Sequence, residues 1–155
     1  MNNMQLALIH SSANPKPGEN NQRLEFLGDA ILELIVSEYL YANHPNMNEG
    51  MLSIARSNFV CKANLAAVAC RMGLGDRLIL GKAELGQQGK HKPSILADAV
   101  EAQIGAIYLE YGMETAKKFV YQWVLGCSTP KVDIENCDHC WRVLARQQSC
   151  CPFHF

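Results

Sequence analysis

Residues 21–35 read Asn21-Gln22-Arg23-Leu24-Glu25-Phe26-Leu27-Gly28-Asp29-Ala30-Ile31-Leu32-Glu33-Leu34-Ile35. At 3.6 residues per turn, Leu24, Leu27, Ile31, Leu34 and Ile35 make a broad apolar stripe, the pattern of a helix packed into a core. Within that helix Glu25 and Asp29 stand four apart. This spacing puts the two carboxylates on one face, with roughly 5–6 Å between Cβ atoms. Like charges on so apolar a helix repel each other and resist desolvation, so they call for a counter-charge, and a divalent cation supplies one. A second acidic pair is expected elsewhere in the chain.

It stands in Ser94-Ile95-Leu96-Ala97-Asp98-Ala99-Val100-Glu101-Ala102-Gln103-Ile104-Gly105-Ala106. Asp98 and Glu101 are three apart, again on one helix face. Ala97, Ala102, Gly105 and Ala106 surround them, as Gly28 and Ala30 flank Asp29, and small residues let two helices approach closely. A four-carboxylate cluster is the expected product. Acids at helical spacing are commonplace on solvated faces, but two such pairs inside the two most apolar helices are hard to explain as surface chemistry. Oxygen ligands without His or Cys suit magnesium, with manganese as a substitute, rather than zinc. Such an ion can orient water toward phosphorus and stabilise charge on a transferring phosphoryl group, so phosphodiester hydrolysis fits. A di-iron carboxylate bundle would ask for Glu-x-x-His pairs, which no helix here has.

The rest of the chain reads as further helices. Met4–His10 forms a short amphipathic one, and 11–21, with Pro15, Pro17 and Gly18, forms a loop. The long helix runs from about Asn21 to Asn43. Asn48 caps a third that begins at Glu49, and Asn64–Met72 continues helical after a break. Asp76–Leu80 is a short helical turn. Residues 81–93 form a polar loop whose Lys82, Lys90, His91 and Lys92 are candidates for touching a polyanion, or simply a solvated surface. Ser94 caps the helix Ile95–Tyr111, which stops at Gly112, and Glu114–Leu125 forms a last amphipathic helix with Ala116, Phe119, Val120, Trp123 and Val124 inward. No segment shows strand alternation, so the fold class is all-α.

At 155 residues, 48% hydrophobic and 19% charged, the chain is expected to form one globular domain over 1–125. A net charge of −1 argues against nucleic-acid binding by electrostatics alone, so metal must supply much of the positive field. No run of about 18 apolar residues exists and the amino terminus lacks a signal-peptide pattern, which predicts a cytoplasmic protein with no membrane association. Seven cysteines, five of them at Cys127, Cys137, Cys140, Cys150 and Cys151, favour reduced thiols over a disulfide scaffold. The tail 126–155 is expected to be a divergent cysteine-rich end, not an independent domain.

Asn21-Gln22-Arg23-Leu24-Glu25-Phe26-Leu27-Gly28-Asp29 closely resembles the signature stretch of the ribonuclease III family. The resemblance continues through Asn48–Ser53, Ala63–Ala66, Leu78–Glu84 and Ser94–Ala102, and covers about Gln5 to Trp123. It implies a helical endonuclease domain that dimerises through the signature helix. Such a domain cuts double-stranded RNA with magnesium, leaves 5′-phosphate and 3′-hydroxyl ends, and serves RNA processing such as that of ribosomal RNA precursors. By position, Glu25, Asp98 and Glu101 resemble the metal ligands and Asp29 the acid that supports the attacking water. Glu101 matches the acid on which chemistry most depends. Glu49 matches an accessory acidic position, although helix-start electrostatics accounts for it equally well. Phe26 resembles the phenylalanine that reaches into the partner of a homodimer, and no small-molecule cofactor is implied.

Two departures stand out. Gln22 replaces the family's usual glutamate, and the residues after Leu125 do not resemble the usual double-stranded-RNA-binding domain. The alternative reading is therefore a catalytically weak or inactive double-stranded-RNA-binding relative. Affinity for RNA comes largely from phosphate contacts, so a near-neutral chain should bind weakly, lose activity steeply with salt, and read A-form shape rather than sequence.

Overall fold

In the computed structural model, which describes residues 1–126, a short helix α1 (Asn3–Leu6) opens the chain. A reciprocal cap holds it: the Gln5 N–H donates to Asn2 Oδ1 at 2.9 Å and the Asn2 N–H to Gln5 Oε1 at 3.2 Å. The helix expected to reach His10 stops early because the backbone of Leu8 to His10 has another partner. The Ile79 N–H donates to the Leu8 carbonyl at 2.9 Å and the His10 N–H to the Ile79 carbonyl at 3.0 Å. This makes a single parallel bridge between Ile9 and Ile79, and no strand forms among the described residues.

Asn20, almost fully buried, gathers the following loop: its amide donates to the carbonyls of Asn14 and Lys16, and its Oδ1 accepts from the Gln22 N–H at 3.1 Å. That last bond satisfies a free donor in the first turn of α2 (Gln22–Asn43). The buried stripe of α2 runs through Leu24, Gly28, Ile31, Leu32, Ile35, Val36, Tyr39 and Leu40. Leu34, expected in it, is 56% exposed. It stands 100° around the helix from Ile35, which turns it away from the core.

Asn48 caps α3 (Glu49–Val60), its Oδ1 accepting from the Met51 N–H at 2.9 Å. An extended Cys61 separates α3 from α4 (Lys62–Arg71), and Gly73, at φ 62°, leads into α5 (Leu74–Arg77). The polar loop expected at 81–93 is more ordered than its composition implies: it holds α6 (Lys82–Gly86) and a 3-10 turn (Gly89–His91). Then comes α7 (Pro93–Tyr111), which begins one residue before the predicted cap. Lys92 is the cap residue and Pro93 the first helical one, a position where the missing N–H costs nothing; Ser94 is simply exposed. Gly112, at φ 83°, turns the chain into α8 (Met113–Trp123), whose Ala116 and Val120 are buried.

α7 is apolar on nearly every side, as befits a helix covered all round. It packs against α1, α2, α4 and α8, with its most extensive contact on α2. Leu32, Ile35, Val36, Leu65, Val68, Leu74, Val100, Ile104 and Val120 form the fully buried centre. From Cys127 onward the expected cysteine-rich tail lies outside the described residues.

Candidate metal centre

Two glycines position the acids. A Cβ on Gly28 would collide with the carbonyl oxygen of Glu101 and stand 3.0 Å from the Gly105 nitrogen; one on Gly105 would collide with the carbonyl oxygen of Leu24. Here α2 and α7 meet backbone to backbone, which only residues without a Cβ allow. Glu25 lies one turn before Gly28, and Glu101 one turn before Gly105. The close crossing therefore brings carboxylates from two helices together.

Glu25, Asp98 and Glu101 each offer one carboxylate oxygen, and the three atoms lie within 4.8 Å of one another. All three residues are half-buried. Burial pushes the Glu25 carboxyl above its ordinary range, and the charges of Asp98 and Asp29 push it further. Burial likewise raises Asp98. Glu101 is pushed up to about 8, first by burial and then by the charges of Asp29, Asp98 and Glu25. Like charges held together away from water favour the proton-bound form. A hard cation relieves the same repulsion, and a donor set of carboxylate oxygens with no nitrogen or sulfur fits magnesium or manganese.

Asp29 stands outside the three-oxygen group, and its residue is exposed. Its charge is nevertheless the strongest acidic influence on Glu101. The structure thus gathers three of the four expected carboxylates and leaves the fourth at the edge. Glu49 is not in the group; its Oε1 accepts a hydrogen bond from Ser53 Oγ at 2.9 Å, within the first turns of α3. Gln22 is exposed at the first position of α2.

Phe26 is 82% exposed. Ala30 and Leu34, one and two turns further along, are exposed on the same line of α2. This makes a narrow apolar strip on the side of the helix opposite the core. Among the cations of the 81–93 segment, Lys92 is engaged by Glu84 and by Gln87, whose Oε1 accepts from Nζ at 3.1 Å. That takes Lys92 out of the set available to a polyanion.

Two basic residues from outside α2 and α7 influence the acidic group. Lys62, the first residue of α4, lowers the proton affinity of Glu25, Asp98 and Glu101 alike, and His10 does so for Asp98. His10 is held by Ser12, whose Oγ lies 2.8 Å from His10 Nδ1 and accepts from the Gly81 N–H at 2.9 Å. Nothing in local spacing links these residues to the acids. Lys62 did carry one legible signal: a lysine in the first turn of a helix opposes the macrodipole, and no acid accompanies it there.

The family model described as Ribonuclease-III-like matches residues 2–127. A Ribonuclease 3 of Heliobacterium modesticaldum is 51% identical over 121 residues, which make up 76% of this chain and 52% of the relative. One of Pelotomaculum thermopropionicum is 54% identical over 114 residues, 71% of this chain and 47% of the relative. The chain spans about half the length of these relatives. Among solved structures, a nuclease domain of ribonuclease III from Campylobacter jejuni, described with a region involved in dimer formation, superimposes with a TM-score of 0.76 at 44% identity. That alignment covers 80% of this chain and 85% of the other.

Proposed function

The chain belongs to the ribonuclease-III-like family, and on that premise we propose that residues 1–125 are a magnesium-dependent endonuclease domain that cleaves double-stranded RNA as a homodimer. The observation that carries this reading is the group formed by Glu25, Asp98 and Glu101, three half-buried carboxylates on two helices with no cation of the fold paired to them among the described residues.

In this reading those three residues hold the ion. Bound there, it supplies a water of lowered pKa and charge neutralisation at the phosphoryl oxygens. Glu101 gives up the proton that its surroundings favour and presents a carboxylate to the site. Asp29, exposed at the edge and close enough to influence Glu101, orients the attacking water by accepting its hydrogen bond. The water oxygen adds to phosphorus as the bond to the 3′ oxygen breaks. The attacking water loses a proton to bulk water and the 3′ oxygen takes one up from bulk water, leaving a 5′-phosphate and a 3′-hydroxyl.

Phe26, Ala30 and Leu34 offer the apolar strip on which the partner's α2 would pack, and two-fold symmetry makes such a patch self-complementary. Two sites in one cleft would then give cuts on both strands. No helix among the described residues is long and apolar enough to cross a membrane. Cleavage of RNA fits the relatives' shared name, and action in the cytoplasm on structured precursors such as ribosomal RNA is part of the same proposal.

The test is a labelled RNA duplex incubated at low salt with magnesium or with EDTA. Cleavage with magnesium alone, giving 5′-phosphate ends, is the expected result. Persistent binding without cleavage would replace this reading with that of a non-cleaving binder. A Phe26→Ala chain should weaken its dimer by roughly thirtyfold or more, the effect of removing an interface anchor. Sedimentation showing an unaltered dimer would remove Phe26 from the interface.

A further inference from the structure

Between α6 and the start of α7 the chain builds an open pocket of about 460 Å³, lined by Leu85, Gln88, Lys90 and His91. The backbone behind it is closely packed. A Cβ on Gly89 would stand 2.6 Å from Glu84 Cγ and 2.8 Å from the Glu84 carbonyl oxygen, and one on Gly75 would stand 2.5 Å from the Lys90 carbonyl oxygen. Lys92, engaged by Glu84 and Gln87, closes the segment. Gln88 makes the turn between α6 and the 3-10 turn at φ 58°, the one non-glycine residue with positive φ among the described residues. Glycine would make that turn with less strain. The glutamine puts an amide at the pocket instead.

The lining offers one apolar side chain, one amide and two basic side chains, none of them acidic. Leu85 is 45% exposed. Lys90 makes no ion pair and the Gln88 side chain no hydrogen bond among the described residues. A ribose-phosphate unit matches this set. An ammonium donates to phosphate oxygens, an amide donates and accepts as a 2′-hydroxyl does, and apolar surface suits the sugar's carbon face. With a net charge of −1, the chain has no overall field to hold a polyanion, so affinity must come from placed contacts. The pocket is also well located: Asp98 is the sixth residue of α7, about 8 Å along the axis from the helix start, which is short against the groove of a duplex.

We propose that this pocket seats one nucleotide of the RNA backbone away from the bond that is cut. Lys90 Nζ donates to a phosphate oxygen and the Gln88 amide bonds the 2′-hydroxyl, over Leu85. This rests on the reading of the chain as an endonuclease for double-stranded RNA. The contact reads sugar and shape rather than base, and it adds affinity without entering the chemistry.

Wild type, Lys90→Met and Gln88→Gly are compared by fluorescence anisotropy of a labelled RNA duplex in EDTA across a salt series. A 2′-fluoro duplex of the same sequence, which lacks the hydroxyl, is the second probe. Lys90→Met should bind more weakly and lower the salt slope by about 1, the signature of one lost phosphate contact. Gln88→Gly, whose glycine suits the left-handed turn, should keep the slope, bind the RNA duplex roughly two- to tenfold more weakly, and lose part of the preference over the 2′-fluoro duplex. With saturating magnesium, both variants should raise KM and leave kcat unaltered. An unaltered salt slope in Lys90→Met would overturn the proposal, and so would an unaltered RNA preference in Gln88→Gly. A fall in kcat with KM unchanged would overturn it too, by placing these residues in the chemistry. A wild-type chain that neither binds nor cleaves the duplex brings down the endonuclease reading along with this inference; variants that match an active wild type sink the inference alone.

Discussion

The two halves of α2 treat their acids differently. In the second half, Glu33 meets Arg56 of α3 at 2.9 Å and Glu38 meets Lys117 of α8 at 2.8 Å. In the first half, Glu25 and Asp29 have no ion-pair partner among the described residues, and Glu25 is drawn instead toward Asp98 and Glu101. Helix, residue type and spacing are nearly the same, yet only one half is neutralised by the fold. The difference lies at the crossing, where Gly28 and Gly105 bring α7 so close that acids face acids. The paired half serves the fold, and in the proposed function the unpaired half is where a divalent cation binds.

Removing one acid from each half should sharpen that contrast. Glu101→Gln should cut cleavage by roughly a hundred- to a thousandfold, the range for deleting a group that acts on developing charge, while duplex binding persists in a gel-shift assay. The same variant should be more stable than wild type without metal near pH 8, since a repelled carboxylate has gone. Loss of stability instead would mark Glu101 as a structural acid.

Gly28→Ala probes the crossing itself. Its methyl group would collide with the Glu101 carbonyl, which should cost about 1–3 kcal/mol by overpacking and separate Glu25 from Glu101. Denaturant unfolding reads the first effect and magnesium-induced thermal shift the second. A stable variant with intact metal response would show that the close approach is not what assembles the site.

The smallest effect belongs to the paired half. Glu33→Gln removes a partly exposed ion pair with Arg56 and should cost less than about 1 kcal/mol, with cleavage and metal response unaltered. A large loss of activity there would break the division between the two halves.

Much of this arrangement is legible in the sequence because it is local. Apolar periodicity marks α2 and α7, Asn48 and Gly112 mark helix ends, and the spacing of Glu25 with Asp29 and of Asp98 with Glu101 marks shared faces. The small residues also announce the close packing. What local spacing does not carry is which elements meet in space. The bridge from Ile9 to Ile79, the influence of Lys62 and His10 on the acids, and the pairs Glu33–Arg56 and Glu38–Lys117 all join distant segments. The exposure of Leu34 and the position of Asp29 outside the three-oxygen group depend on how α2 is rotated against α7. Periodicity narrows that rotation, and the glycine contact sets it.

The central claim is that Glu25, Asp98 and Glu101 form a divalent-cation site, and thermal unfolding with and without magnesium as a function of pH tests it most directly. Glu101 has its proton affinity raised to about 8 in the folded state, against an ordinary 4.5. The folded chain therefore binds this proton more tightly than the unfolded chain does. Its ionisation costs no stability below about 4.5, costs progressively more as pH rises, and costs most above about 8. Magnesium competes with that proton, so its stabilising effect should be small near about pH 6, grow toward about pH 8 and then level off. A Glu25→Gln, Asp98→Asn double variant should show no such gain. A magnesium effect that is absent at pH 8, equal at every pH, or retained by the double variant would contradict the claim.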